Sequence, residues 1–303
     1  EDIEMPYPKT FEDDYSNRSD AAKHAFMRIE AALNRSDIKV KSSLLKRWLT
    51  IPIPESFTDY ELETEEGEVV SFDTKEEWKK WKYQRYIKDY LRCISSVDDS
   101  VGKILEYLDQ EGLTENTIVV YTSDQGFFLG DHGWYDKRFM YEESLRMPLM
   151  IRYPREIIAG SQNKDLILNL DFPETFLDYA GISPTKDMQG KSFRHLMRGE
   201  KDADWRDAFY YRYWCNGGFH KVYAHYGIRT LQYKLIYYYC DPLGQKGAHK
   251  DPHVPHWEMF DLEKDPLELK NVHEDLNYKE IRAKLKKKLV ALQEEAGDLP
   301  YSA

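Results

Sequence analysis

The segment 117–138, TIVVYTSDQGFFLGDHGWYDKR, constrains the fold more than any other part of the chain. Residues 118–121 are a short run of β-branched and aromatic side chains between polar residues, which predicts a strand buried on both faces. The strand leads directly into a polar loop that contains Asp124, Gln125, His132, Lys137 and Arg138. In open α/β sheets, ligands bind just beyond the carboxyl ends of such strands. We therefore expect an α/β fold with an anion-binding, metal-containing site in this loop.

The elements around this strand predict a layered α/β sheet in the first two thirds of the chain. Apolar residues recur every three or four positions over 75–109, so we expect one long amphipathic helix that ends at Gly112. A helix, a glycine turn and an apolar strand make half of a βαβ unit. Residues 148–153 (PLMIRY) predict a second buried strand, and residues 170–180 predict a further helix.

The pattern changes after about residue 200 to tyrosine-rich alternating segments, which predict an antiparallel sheet of hairpins. These segments are 208–214, 226–230, 233–239 and 257–261. Apolar residues at spacings of four, four and three over 278–295 predict a terminal amphipathic helix whose lysines form a solvated face. We therefore divide the chain into an α/β domain, 1–204, and a C-terminal α+β subdomain, 205–303.

Two weaker patterns precede the long helix. Residues 19–34 predict a helix with Ser19 or Asp20 as its N-cap. Residues 51–73 contain two prolines and an acidic tract, which predict an exposed excursion or a short hairpin.

Composition excludes several classes of protein. The 43 Lys and Arg against 54 Asp and Glu give a formal net charge of −11, which disfavours a general nucleic-acid or anionic-membrane binder. No apolar run is long enough to span a bilayer, and residues 1–20 are acidic and polar, unlike a secretory signal. Cys93, Cys215 and Cys240 are odd in number and widely spaced, so a disulfide framework is not expected, although a single Cys215–Cys240 bridge stays open.

The first half of the polar loop has the chemistry of a cation site. Asp124 and Gln125 each present one side-chain oxygen, and a carboxylate with an amide suits a hard cation such as Ca²⁺. Calcium takes about six to eight oxygen ligands, so the others must come from elsewhere. An ordinary strand-ending turn at Asp-Gln-Gly is the alternative.

The second half of the loop has the chemistry of an anion site. The Lys137 ammonium, the Arg138 guanidinium and the His132 imidazole lie close enough in sequence to hold a tetrahedral oxyanion together. In the alternative, the two cations form surface ion pairs with nearby carboxylates, namely Asp136, Glu142 or Glu143. A histidine in a polar loop is also often merely solvated.

The segment 117–154 resembles the type I, formylglycine-dependent sulfatases of the alkaline-phosphatase superfamily. The resemblance continues through 96–102, through LILNLDFPETFLDYAGI at 166–182 and MQGKSF at 188–193, and into HYGIRTLQYKLIYYY and WEMFDLEKDPLELKNV. It implies an incomplete alkaline-phosphatase-like α/β/α sandwich, followed by a smaller antiparallel sheet with a terminal helix. It also implies hydrolysis of sulfate esters and a periplasmic or extracellular location.

The resemblance assigns roles to individual residues. Asp124 and Gln125 would bind an active-site calcium, and Lys137 would contact the sulfate, with His132 as a second catalytic candidate. Arg138, His225 and Arg229 are candidates for substrate binding, and polar strand-edge positions are the alternative for the last two. The Asp-Lys-Arg sequence with a following Tyr-Glu is similar to enzymes of the N-acetylglucosamine-6-sulfatase type.

The family's nucleophile motif, Cys/Ser-x-Pro-x-Arg, does not occur in this sequence, and none of the three cysteines begins it. An apolar strand that ends in paired aspartates, which binds the metal in the family, is not found before residue 100 either. We therefore expect a C-terminal portion of a sulfatase, inactive alone, whose partners are a complementary N-terminal segment and a sulfated carbohydrate. A phosphatase or phosphonate hydrolase of the same superfamily, and a non-catalytic glycan-binding pseudoenzyme, are the alternatives.

Overall fold

A computed structural model describes residues 3–250 and 253–298. The helices are α1 Asp20–His24, α2 Ile29–Ala32, α3 Lys75–Gln110, α4 Glu142–Leu145, α5 Asp171–Tyr179, α6 Arg194–Met197 and α7 Lys279–Glu295. The strands are β1 Glu61–Glu63, β2 Val69–Ser71, β3 Val119–Thr122, β4 Phe128–Leu129, β5 Tyr135–Asp136, β6 Leu149–Arg152, β7 Ala208–Tyr213, β8 His225–Thr230, β9 Tyr233–Tyr238 and β10 His256–Asp261. The division at residue 204 stays a prediction, and residues 1–2, 251–252 and 299–303 of its two ranges lie outside the described residues.

The C-terminal region is the antiparallel sheet that the alternating segments predict. Its strand order is β10-β9-β8-β7, and every neighbouring pair is antiparallel. Helix α7 buries Leu285 and Leu289 in the same apolar cluster as Ile228, Leu235 and Met259 of the sheet. The mixed α/β class and the terminal helix are therefore confirmed.

The strand that precedes the polar loop is less enclosed than its sequence predicts. Strand β3 pairs with β6 in antiparallel register, with Val120 opposite Ile151, so the two strands do not form a parallel βαβ unit. The connection between them is a hairpin and the short helix α4, and the chain returns without a crossover helix. No residue of β3 belongs to a hydrophobic cluster of the described residues, and Met150 on β6 is 60% exposed. The expectation of burial on both faces is wrong for the described residues.

Helix α3 matches the predicted 75–109 helix, but its two halves lie in different surroundings. Thr74 caps it by accepting a hydrogen bond from the Glu77 backbone N–H. The first half buries Trp78 and Tyr83 against the N-terminal region. From residue 91 to residue 100 every side chain is exposed. The exposed apolar residues of this second half are Leu91, Ile94, Val97, Ile104 and Tyr107.

The predicted 19–34 helix is broken into α1 and α2. Between them, the Phe26 backbone N–H donates to the His220 carbonyl at 2.7 Å, and the Met27 carbonyl accepts from the Tyr135 N–H at 3.0 Å. These long-range hydrogen bonds replace the intrahelical ones, because the extended segment bridges the site hairpin and the C-terminal region. No disulfide forms among the described residues. Within the same residues, no helix is long and apolar enough to cross a membrane.

The segment that joins the site loop to the C-terminal sheet is part of the core. Trp134, Phe139 and Tyr141 are fully buried in one cluster with Ile236 and Phe260 of the sheet. Gly227 of β8 lies where this segment crosses the sheet. A Cβ atom there would be 2.4 Å from the Leu235 carbonyl oxygen and 2.6 Å from Met140 Sδ. The close approach of Met140 and of strand β9 to strand β8 therefore requires glycine at position 227.

Gly227→Ala should lower the free energy of unfolding by about 1–3 kcal/mol, because the added methyl group meets backbone atoms that cannot move aside. Urea unfolding at pH 7 measures this change. Gly102→Ala, on the exposed half of α3 with no neighbour within 4 Å of the new Cβ, is the matched control. It should gain roughly 0.5–1 kcal/mol of stability. Equal stability of the two variants would contradict the close packing at Gly227.

Candidate active site

A short hairpin brings the two halves of the polar loop together. Strands β4 and β5 pair with Phe128 opposite Asp136 and Leu129 opposite Tyr135. The turn uses Gly130 at φ 105°, where a Cβ would come within 2.8 Å of the Tyr83 ring. The register places Lys137 next to Phe127, and its Nζ lies 5.7 Å from the centre of that ring. The hairpin thus returns Lys137 to Phe127, two residues beyond Gln125 in the chain.

Asp124 and Gln125 are accessible at the end of β3. Asp124 is exposed, Gln125 is half-buried, and the Asn169 side chain donates to the Asp124 carbonyl at 2.7 Å. Gly126 fixes the following backbone, because its N–H donates to the Ser144 carbonyl and a Cβ there would be 2.0 Å from the Glu143 carbonyl oxygen. The described residues contain no group of three or more His, Cys, Asp or Glu side chains able to hold a metal.

Lys137 and Arg138 share one carboxylate. Arg138 Nη2 lies 3.0 Å from Asp136 Oδ2, and Lys137 Nζ lies 3.6 Å from Oδ1. His220 Nε2 also contacts Asp136 Oδ2, at 2.9 Å. Burial raises the pKa of Asp136, but the hydrogen bond from His220 and the charge of Arg138 outweigh it and the pKa is lowered. The pairing with Asp136 that the sequence leaves open is therefore present, while the Lys137 side chain keeps 36% of its surface exposed.

His132 lies inside the protein. Its imidazole Nδ1 is 2.8 Å from Asp13 Oδ2, and its Nε2 is 3.9 Å from Glu143 Oε2. Its own backbone is tied to the N-terminal segment, since its N–H donates to Thr10 Oγ1 and its carbonyl accepts from the Tyr15 hydroxyl. At φ 54° the residue is in the left-handed region. These contacts hold the loop from within.

Asp13 is the central acceptor of this buried network. Its Oδ2 accepts hydrogen bonds from both His132 and Arg18, whose side chain is 1% exposed. Burial raises the pKa of Asp13, but the hydrogen bond from His132 and the positive charge of Arg18 lower it to about 2. The carboxylate is therefore charged at neutral pH.

His225 and Arg229, the two substrate-binding candidates from the C-terminal region, are enclosed as well. His225 is fully buried among aromatic rings, and its Nδ1 contacts the Tyr223 carbonyl at 2.7 Å. Burial lowers the pKa of His225 to about 4. Arg229 makes a two-pronged contact with Glu142, with Nε and Nη2 at 3.2 and 2.9 Å from the carboxylate oxygens. The structure thus brings Arg229 to the end of the site loop, where it binds a carboxylate of the protein.

Glu142 belongs to a buried ionic cluster. Lys234 Nζ, with no exposed surface, lies 3.0 Å from Glu142 Oε1 and 2.5 Å from Glu268 Oε1. Glu268 Oε2 accepts a hydrogen bond from the Glu142 backbone N–H. We call Glu142, Arg229, Lys234 and Glu268 the clamp. It joins the first residue of α4 to β8, β9 and the turn that follows β10.

Sequence reasoning did not identify the groups that support the loop. No pattern in the sequence assigns a role to Asp13 or Glu268. The signal that points to them is weak, since each is one acidic residue among 54 Asp and Glu. His220, whose Nε2 contacts Asp136, is a further supporting group.

The arrangement and the sequence together identify the family. A sequence model of the family described as Sulfatase matches residues 4–182. A second, described as N-sulphoglucosamine sulphohydrolase, C-terminal, matches residues 130–295. The chain therefore belongs to the sulfatase family.

Among its relatives, an N-acetylglucosamine-6-O-sulfatase of Bacteroides thetaiotaomicron is 41% identical over 307 residues, with 96% of this chain and 52% of the relative aligned. An N-acetylglucosamine-6-sulfatase of Bos taurus is 28% identical over 68% of this chain and 40% of its own length. The solved structure of BT4656 in complex with its substrate D-glucosamine-2-N,6-O-disulfate superposes with a TM-score of 0.80 at 37% identity, covering 97% of this chain and 60% of that one. The chain thus spans about half the length of the relatives it matches.

Asp13→Asn should lower the free energy of unfolding by about 2 kcal/mol at pH 7, because it presents an N–H₂ group to Arg18 and His132 in place of an anion. A lowered folded-state pKa stabilises the fold above the unfolded value near 4, and this contribution is lost as pH falls toward 2. The difference from the wild type should therefore shrink at pH 2.5. Asp14→Asn, at the exposed neighbour, is the control for chemical denaturation at both pH values. A difference independent of pH would contradict the ion-pair account.

Proposed function

We propose that this chain supplies part of the active site of a sulfatase that acts on sulfated glycans, with glucosamine 6-sulfate groups as the preferred substrate class. The observation that carries the proposal is the hairpin that presents a partly exposed Lys137 beside Phe127, in the loop that follows β3. The identity of 41% to an N-acetylglucosamine-6-O-sulfatase supports the substrate class. We also propose a periplasmic or extracellular location, since one relative is named an extracellular sulfatase.

Lys137 and Arg138 have the chemistry to bind the sulfate group and the sugar that carries it. A lysine ammonium is a compact mobile charge, and an arginine guanidinium is a planar fork that matches two oxygens. Asp136 holds both cations on the same side of the loop, and His220 holds Asp136. Positive charge fixed before the reaction stabilises the negative charge that develops on the sulfate oxygens in the transition state.

Asp124 and Gln125 fit a hard cation, and we propose that they bind Ca²⁺. One offers a carboxylate and the other an amide oxygen, the ligand types that calcium prefers. Asp124 is exposed and forms no ion pair with any of the described residues, so its charge is available. A calcium ion there would polarise the sulfate ester. The remaining ligands would come from the complementary segment.

The enclosed candidates have supporting roles in this proposal. The imidazole of His132 has no exposed surface, so we assign it the positioning of the loop and leave the contact with substrate to Lys137 and Arg138. His225 and Arg229 support the same segment from the side of the sheet, through aromatic packing and through Glu142. Substrate contact by these two residues would require that the packing around them open.

The complementary partner is a polypeptide that carries the nucleophile. We call the exposed apolar residues of the second half of α3 the apolar stripe; they are Leu91, Ile94, Val97, Ile104 and Tyr107. Helix α3 leads into β3, and β3 and β6, which form a two-stranded sheet with exposed edges, lie before and after the site loop. Exposed apolar stripes and unpaired strand edges are typical of surfaces that another chain covers. The chain covers 52% of the Bacteroides relative and 60% of the BT4656 structure, which supports a complementary segment of similar size.

The enzyme for this test is reconstituted from this chain and the complementary N-terminal segment. In it, Lys137→Ala should lower kcat for an aryl sulfate at least a hundredfold, because a charge that stabilises the transition state is removed. Hydrolysis of aryl sulfate and aryl phosphate by wild type and variant measures this effect. Lys186→Ala, at an exposed position, is the control and should retain full activity. A preference for aryl phosphate would contradict the sulfatase assignment. Binding of sulfated sugar without hydrolysis would favour a pseudoenzyme.

Ile94→Asp with Ile104→Asp should abolish binding of this chain to the N-terminal half of the Bacteroides relative, because two charges enter the apolar stripe. Both side chains are exposed, at 42% and 56%, so the chain's own melting temperature should not change. Ser96→Asp, about 160° around the same helix from Ile94 and about 80° from Ile104, serves as the control. Analytical ultracentrifugation of the mixed chains measures the association. Failure of the wild type to associate, or equal loss with Ser96→Asp, would count against this surface.

A further inference from the structure

Helix α7 is strongly basic on an acidic protein. Its first ten residues contain six cationic side chains, Lys279, Arg282, Lys284, Lys286, Lys287 and Lys288, and one carboxylate, Glu280. The sequence predicts a solvated face for these lysines. The structure divides them, because Lys284 and Lys287 are exposed and Lys288 pairs with Asp207, whereas Arg282 and Lys286 are half-buried.

Lys286 lies against the aromatic edge of the C-terminal sheet. Its Nζ is 4.1 Å from the centre of the Trp257 ring, on the edge strand β10. The His273 imidazole is parallel to the same indole within 6°, with ring centres 5.9 Å apart. The Asn271 side chain fixes this arrangement, since its Oδ1 accepts from the His273 N–H and its Nδ2 donates to the Trp257 carbonyl. Arg282 is one helical turn before Lys286, on the same face of α7.

The cluster of His273, Arg282 and Lys286 has unused hydrogen-bonding capacity. Arg282 Nη1 and His273 Nε2 are buried without a hydrogen-bond partner among the described residues. Across the same part of the chain, neither Arg282 nor Lys286 forms an ion pair. Among residues 3–250 and 253–298, the one carboxylate shown in contact with the cluster is Glu274, which reaches His273 Nδ1 and is itself 89% exposed. Three cationic or protonatable groups therefore face one another with little negative charge between them.

The electrostatics agree with this geometry. Burial first, and then the charge of Arg282, lower the pKa of Lys286. Burial, Lys286 and Arg282 also lower the pKa of His273 against the opposing effect of Glu274. An anion placed among the three groups would relieve this repulsion and would accept a hydrogen bond from the unpartnered Arg282 Nη1.

We propose that His273, Arg282 and Lys286 form a binding site for a tetrahedral oxyanion, either free sulfate or a sulfate ester on a glycan. The guanidinium provides a planar fork and the ammonium a mobile charge, and protonation of the imidazole on anion binding would add a third donor. None of the three residues belongs to the site loop at 122–138. The proposal therefore does not depend on the proposed catalytic function.

The test is titration of the full chain with sodium sulfate, followed by the His273 Cε1–Hε1 signal in NMR, against sodium chloride of equal ionic strength. The wild type should give a saturable shift with sulfate and none with chloride. Lys286→Met, which keeps the apolar stem and removes the charge, should raise the dissociation constant about tenfold or more. Lys287→Met, at the exposed neighbour on the same helix, should leave it within twofold. Circular dichroism checks that both variants stay folded.

Two further titrations distinguish the sources of the anion. N-acetylglucosamine 6-sulfate that binds more tightly than inorganic sulfate identifies a sulfate ester as the ligand, and equal affinity identifies the free anion. N-acetylglucosamine without sulfate should not bind. The proposal is overturned if sulfate gives no saturable shift, if Lys287→Met weakens binding as much as Lys286→Met, or if the unsulfated sugar binds equally well.

Discussion

The clamp is the interaction on which the shape of the site depends. Lys234 has no exposed surface, and it satisfies two carboxylates that come from different parts of the chain, Glu142 and Glu268. Removing one member of a buried ionic group leaves an uncompensated charge, at a cost of about 3–5 kcal/mol. Replacing the whole group by apolar residues is often neutral. The clamp therefore contributes geometry more than stability, since it determines where the site loop ends relative to the sheet.

A second buried network fixes the other side of the loop. Asp13 accepts from His132 and Arg18, and the N-terminal segment supplies Thr10 and Tyr15 to the His132 backbone. On one side the loop is held by the Asp13 network, from the start of the chain. On the other side it is held by the clamp, most of which comes from the C-terminal half. The side chains that we assign to substrate, Lys137 and Arg138, need no rigidity of their own, because the backbone that carries them is fixed from both sides.

The sequence predicts the elements with local patterns well. The long helix at 75–109, the terminal helix at 278–295 and the hairpins after residue 200 rest on apolar periodicity, and the structure has them within one or two residues. The sequence does not predict segments whose conformation depends on contacts with residues far away in the chain. The segment 19–34 is a good helix by composition, yet Phe26 and Met27 pair instead with His220 and Tyr135.

The candidate site divides in the same way. The sequence proposes the loop with Asp124, Gln125 and Lys137 as the candidate, because the loop follows a recognisable strand. The groups that hold the loop are not found in this way, because Asp13 and His132 are separated by 119 residues and Glu142 and Glu268 by 126. Single charged residues at such separations carry no periodic signal. Their partners become evident only when the fold brings them together.

Helix α3 has a mechanical consequence for this site. Its first half is anchored by aromatic packing and by the buried Lys82 ammonium, which donates to the Glu30 and Ile51 carbonyls. Its second half projects without lateral support from residue 91 to residue 100 and then leads through Gly112 into β3. The strand that follows is held independently of the helix, because β3 pairs with β6 and the Asp124 carbonyl accepts a hydrogen bond from the Asn169 side chain. Bending of the exposed half of α3 should therefore be taken up at Gly112, whose φ is 67°, and leave the position of Asp124 unchanged.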